Sequence, residues 1–177
     1  MHRQTFGYSL YELLVTTTLI ALLLAVAIPS FSSMTARQRQ RVEIDALFHA
    51  IHLARKESIT RRRVVSICPS RDGTSCAPGT DWSSGWLMFE NRDRDSPPRI
   101  DAGEPILQKH KVSGNIIIQA NRRGFTLRAT FLRATNGTFI VCDSRQRIPA
   151  KGLVISYTGR PRVALKKTSG EPYFCAH

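Results

Sequence analysis

The chain has 177 residues, 42% of them hydrophobic and 22% charged, a balance that excludes a disordered or collagen-like polymer and suits one core with at most an appended segment. Lys and Arg number 26 against 13 Asp and Glu, a net charge of +13, so polyanions such as nucleic acid or acidic lipid enter as candidate partners. The surplus is uneven: residues 106–177 hold thirteen bases but only two acids, Asp143 and Glu171, whereas residues 64–105 are net negative.

The first predicted element is a membrane span over residues 8–30. From Ser9 to Ile28 the only formal charge is Glu12, and twenty helical residues at about 1.5 Å each reach the thickness of a bilayer core. A cleaved secretory signal would have a shorter apolar region ending at small residues. A carboxylate in the first turns of such a helix is costly unless it meets a partner, so Glu12 points to a function. Pro29 removes a helix hydrogen bond and predicts a bend.

The flank Gly7-Tyr8-Ser9-Leu10-Tyr11-Glu12, followed by the apolar run and Pro29, resembles the type IV pilin and pseudopilin family. The resemblance implies that residues 1–7 are a leader cut after Gly7 by a prepilin peptidase, and that Tyr8, in place of the more usual Phe, becomes a methylated N-terminus. It also implies that Glu12 pairs with the N-terminal amine of a neighbouring subunit during assembly. The location it implies is a single-pass inner-membrane protein with a periplasmic C-terminal part, later drawn into a fibre with other pilins.

Beyond Pro29 the apolar positions Ile44, Leu47, Ile51 and Ala54 recur at three- and four-residue steps, which continues the helix as an amphipathic segment over residues 31–62. Seven strands are predicted in residues 63–177: Val64–Cys68, Gly85–Phe89, Asn115–Gln119, Phe125–Leu132, Thr138–Cys142, Gly152–Thr158 and Arg162–Leu165. Asn136-Gly137 reads as a hairpin turn between two of them, and Asn91–Glu104 as the most irregular loop. The fold class is α+β: a long N-terminal helix whose second half packs on antiparallel sheet, also the type IV pilin arrangement.

Cys68, Cys76, Cys142 and Cys175 follow the span, and an even count in an oxidising compartment favours two disulfides. Three pairings are possible, of which Cys68–Cys76 with Cys142–Cys175 is the preferred one. Zinc suits the spacing poorly. Asn91, Asp93 and Asp95 imitate the start of a calcium loop without its turn glycine or distal glutamate. The five histidines form no metalloprotease motif, no serine sits in a nucleophile elbow, and no glycine-rich phosphate loop precedes a helix. The reading is therefore a non-enzyme without metal or cofactor.

The run Cys68-Pro69-Ser70-Arg71-Asp72-Gly73, Cys76, Trp82, Gly85-Trp86-Leu87-Met88-Phe89 and Asp101-Ala102-Gly103-Glu104 resembles the FimT/GspH branch of minor pilins and pseudopilins. Gly159-Arg160-Pro161-Arg162 is similar to the GRxR signature of DNA-binding FimT-like pilins, which implies capture of DNA during natural transformation. The residues agree: a glycine permits a tight turn, a proline stiffens it, and two guanidiniums fork onto phosphates. Lys166, Lys167, Arg145, Arg147 and Lys151 are expected to extend the patch, holding the DNA backbone without reading sequence. The alternative is a minor pilin or type II secretion pseudopilin that primes fibre assembly and binds no DNA.

Overall fold

A computed structural model describes residues 9–129 and 134–175. Gly7 and Tyr8 lie outside the described residues. Helix α1 (Leu10–Arg61) is followed by eight strands, β1 (Val64–Pro69), β2 (Trp86–Asn91), β3 (Ile106–His110), β4 (Ile116–Ala120), β5 (Phe125–Leu127), β6 (Gly137–Asp143), β7 (Lys151–Ile155) and β8 (Pro161–Ala164). The chain divides into two compact units, Met1–Thr35 and Ala36–His177.

The first unit is the apolar part of α1. Ser9 caps it, its Oγ accepting from the Glu12 amide at 3.2 Å. The helix is long and apolar enough to cross a membrane, with a window of mean hydropathy 2.3 that is wholly unburied. Thr16, Thr17 and Thr18 donate their hydroxyls to the carbonyls of Leu13 and Leu14, 2.9–3.0 Å away, so the polar atoms of this stretch are satisfied within the helix.

In the second unit the same helix turns amphipathic: Ala36, Gln40, Glu43, Ile44, Leu47, Ala50, Ile51, Ala54 and Ser58 form its buried stripe. Two antiparallel four-stranded sheets complete the unit, in the orders β3-β2-β1-β5 and β4-β6-β7-β8. Ile44, Leu47 and Ile51 share one core with Val65, Ile67 and Met88 of the first sheet and Ile118, Phe139, Val141 and Leu153 of the second. Trp82, Phe125 and Phe139 meet within it in tilted and edge-on contacts at centroid distances of 4.5–5.8 Å. A smaller cluster of Cys68, Leu87 and Phe89 involves strands β1 and β2 of the first sheet.

Polar groups on the helix stripe are matched. Gln40 donates through Nε2 to the carbonyls of Val141 and Pro149, both at 2.9 Å. Glu43 receives His110 Nε2 at 2.8 Å, with the amide and hydroxyl of Ser113 on its other oxygen. Burial opposes ionisation of Glu43, but those hydrogen bonds outweigh it and hold the carboxyl below its ordinary value. Disulfides join Cys68 to Cys76 and Cys142 to Cys175.

Two sequence expectations are corrected. Strand β3 lies at a sheet edge and is only partly buried on both faces, Ile106 and Leu107 being its apolar residues, so Ile106–His110 lacks the apolar signature of its neighbours. Asn136-Gly137 makes no hairpin, because β5 and β6 belong to different sheets. Gly137 instead opens β6 in tight quarters: a Cβ there would stand 2.5 Å from Asn121 Oδ1 and 2.9 Å from Phe125 Cε1.

Candidate nucleic-acid interface

Strands β7 and β8 form a hairpin with Ile155 opposite Pro161, Val154 opposite Arg162 and Leu153 opposite Val163. Partners across an antiparallel pair share a face. Leu153 and Ile155 are in the core, so Pro161 points inward and Arg162 lies with Val154 on the other face. Arg160 lies in the loop, one residue before β8. Both arginines are exposed, and among the described residues neither guanidinium has an ion pair or hydrogen bond.

The loop between the strands is held by its own backbone. Ser156 N donates to the Arg160 carbonyl at 3.1 Å, Arg160 N to Ser156 Oγ at 3.2 Å, and Gly159 N to the Ser156 carbonyl at 2.9 Å. Gly159 has φ +73°, the left-handed region that glycine enters without strain, and a Cβ there would approach Arg55 Nη1 to 3.0 Å and Ala134 Cβ to 3.2 Å. Arg55 uses that nitrogen to donate to the Thr158 carbonyl, tying the loop to α1. The two free guanidiniums are therefore presented on a braced turn.

The remaining predicted cations are not all beside them. Lys151 opens β7, and Lys166 and Lys167 follow β8, whose end pairs with the start of β7. Arg145 and Arg147 lie in the β6–β7 turn. These five gather at the opposite end of the hairpin from Arg160, one strand length or roughly 15 Å away. Within that group Arg147 is paired: Nη2 and Nε fork onto Asp143 at 2.6 and 2.8 Å, and its amide adds a third bond. That guanidinium, outweighing burial, holds the Asp143 carboxyl below its usual range. Lys167 Nζ lies 3.4 Å from Glu171, while Lys151, Lys166 and Arg145 have no side-chain partner among the described residues.

What the sequence reading missed is the set of bases near the braced turn. Leu127 lies against Gly159, so Arg128, the next residue and exposed, belongs to this end with Arg55. No linear signal links positions 55, 128 and 160. Among the described residues no group of three or more His, Cys, Asp or Glu is placed to hold a metal ion. Asn91 and Asp95 of the calcium-like run bond each other at 2.9 Å.

A long helix whose second part packs on two antiparallel sheets defines a type IV pilin fold, the class of minor pilins and pseudopilins and not of enzymes. Residues 43–159 match the family described as "Type II transport protein GspH", and the chain belongs to that family. No curated protein matches the chain by sequence.

Three solved structures are similar in fold. Two are crystal forms of the type IV minor pilin FimU of Pseudomonas aeruginosa. One has TM-score 0.55 and 22% identity, covering 81% of this chain and 99% of that one; the other has TM-score 0.50 and 21% identity, covering 70% and 91%. The third is the minor pseudopilin EpsH from the type II secretion system of Vibrio cholerae, at TM-score 0.52 and 8% identity, covering 71% of this chain and 96% of that one. The family match ends at Gly159, so Arg160 and Arg162 fall outside it.

Proposed function

We propose that this minor pilin captures extracellular DNA for uptake through the β7–β8 hairpin, whose Arg160 and Arg162 take phosphate oxygens of the backbone. The observation that carries the reading is the pairing state of those two residues: both exposed, both without a side-chain partner among the described residues, and both set by the buried Pro161 between them. Like charges held close without counter-ions favour a polyanionic partner. Phosphate contacts of this kind position a duplex without reading sequence, and their strength falls with salt. Lys151, Lys166, Lys167 and Arg145 offer a weaker, separate contact at the far end of the hairpin.

The route to the fibre is part of the same proposal. Prepilin peptidase cuts after Gly7, Tyr8 becomes the methylated terminus, the span anchors the protein in the inner membrane with its C-terminal unit in the periplasm, and Glu12 meets a neighbour's amine on incorporation among other pilins. The exposed apolar side chains of Leu10–Met34 support the anchor. The competing reading is a subunit that primes a pilus or a type II secretion pseudopilus without touching DNA; the fold it shares with the minor pilin FimU and the minor pseudopilin EpsH favours it.

Gel retardation of random-sequence duplex by the full chain in an uncharged detergent separates the two. Wild type should bind at low salt and release at high salt, and Arg160→Gln/Arg162→Gln should lower the slope of log affinity against log salt by about 2, near 0.9 per phosphate contact. Equal, weak binding by both proteins would reject capture and leave assembly. Gly7→Leu should block processing, and Glu12→Ala should block incorporation of processed protein; normal fibres from both would overturn that part.

A further inference from the structure

Beyond the C-terminal end of α1, five arginines line one cleft of about 400 Å³: Arg62 and Arg63 from the link between α1 and β1, Arg92 and Arg94 from the segment after β2, and Arg128 directly after β5. Their charge is offset in part: Asp93 and Asp95 flank Arg94 in the chain, and the Arg92 amide donates to Glu104 Oε1 at 2.6 Å. Among the described residues the carboxylate in ion-pair contact with them is Glu90, buried, with Arg92 Nε at 3.0 Å and Arg63 Nε at 3.9 Å. It is shared with Arg61 at 4.0 Å, which also pairs with Glu57. Among the described residues the guanidiniums of Arg62, Arg94 and Arg128 have no partner.

Two of these three also stand where the backbone favours glycine. Arg62 has φ 54° and ends the helix, its amide turning back to the Ile59 carbonyl; Arg94 has φ 65°. A helix dipole explains bases near the last turn, but it explains neither a left-handed arginine in a separate loop nor the convergence of both on one cleft. Of the three left-handed non-glycine residues among the described residues, Arg62 and Arg94 line this cleft and the third, Gln146, lies in the β6–β7 turn.

The cleft adjoins the braced turn. Leu127, which packs on Gly159, precedes Arg128 and pairs with Val65 of β1, two residues after Arg63. Arg62 directly follows Arg61, the last residue of α1, the same helix that carries Arg55 to the braced turn. We infer that this arginine cleft is a second phosphodiester contact, taken by the same DNA that the β7–β8 hairpin holds. The inference rests on the capture reading above.

The test is fluorescence anisotropy of a labelled random-sequence duplex with the full chain in uncharged detergent, across about 50 to 200 mM salt. Arg62→Gly/Arg94→Gly removes two cations while relieving both backbone positions, so the thermal midpoint should hold or rise; Arg128→Gln alone is the second variant. The double variant should lower the salt slope by about 2 and the single one by about 1. Wild-type slopes for both, alongside a reduced slope for Arg160→Gln/Arg162→Gln, would overturn the cleft and leave the hairpin reading intact. Reduced slopes for the cleft variants with an unchanged hairpin variant would reject the hairpin and keep the cleft as a DNA contact. No binding by wild type would overturn both.

Discussion

The two ends of strand β7 use the same residue type in opposite ways. At its start, the Cys142–Cys175 disulfide, the Arg147 fork on Asp143 and the Gln40 bonds to Val141 and Pro149 converge. At its finish, the loop relies on its own hydrogen bonds and one bond from Arg55, while the Arg160 and Arg162 side chains have no partner among the described residues. A cation with a buried carboxylate beside it is spent on folding; one without is available to a partner. Residues 106–177 hold thirteen bases, but that tally does not separate the two kinds.

The sharpest way to test this contrast is to loosen the fastened end. Cys142→Ser/Cys175→Ser opens a link across 33 residues and should cost about 3–4 kcal/mol in denaturant melts, by the loop-entropy relation. DNA retardation by the folded fraction should be unchanged; a parallel loss of both would mean the two ends are not independent. Arg147→Met comes next, leaving a buried carboxylate without its partner. The thermal midpoint should fall several degrees, since each kcal/mol moves a domain of this size by about 2–4 °C. Its salt slope for DNA should match wild type.

At the free end, Gly159→Ala places a methyl at φ +73° against Arg55 and should cost about 1–2 kcal/mol, with weakened DNA binding as the turn loses its brace. Acid melts sharpen the comparison further. With its folded-state pKa depressed, Asp143 contributes stability in full above the ordinary carboxylate value near ~3.9. Below that value the unfolded chain takes up the proton first, so the contribution is lost as pH falls through the folded pKa. Glu43 acts with the same sign. Arg147→Met should flatten the midpoint-against-pH curve in that acid window, and an unaltered curve would remove Asp143 from the account. Smallest of all, Arg160→Gln/Arg162→Gln should change stability by no more than about 0.5 kcal/mol, in calorimetry of the full chain.

Much of the fold was legible because burial writes periodicity into the chain. The helix stripe at Ile44, Leu47, Ile51 and Ala54 and the apolar runs of β1, β2, β4, β6 and β7 each announce the face they hide. Strand β3 was not legible, since an edge strand carrying Gln108, Lys109 and His110 hides too little to leave a pattern. Asn136-Gly137 misled because local turn chemistry was weighed without knowing that its flanking strands enter different sheets.

The candidate interface was half visible. The Gly-Arg-Pro-Arg turn can be read in four letters, whereas the separation of Lys151, Lys166 and Lys167 from it follows from antiparallel pairing that no run of bases reveals. Arg92 and Arg94 were hidden for a different reason: they sit in the stretch with a net negative sum, where neighbouring acids mask them in any tally by segment.

The bare apolar surface of the first unit has a consequence for traffic. Thirteen large hydrophobic side chains between Leu10 and Met34 are about half exposed or more, and wetting them all would cost a few tens of kcal/mol. Such a segment never passes through water as a free species. On the proposed route into a fibre, departure from lipid and arrival against other greasy helices must then be one continuous transfer.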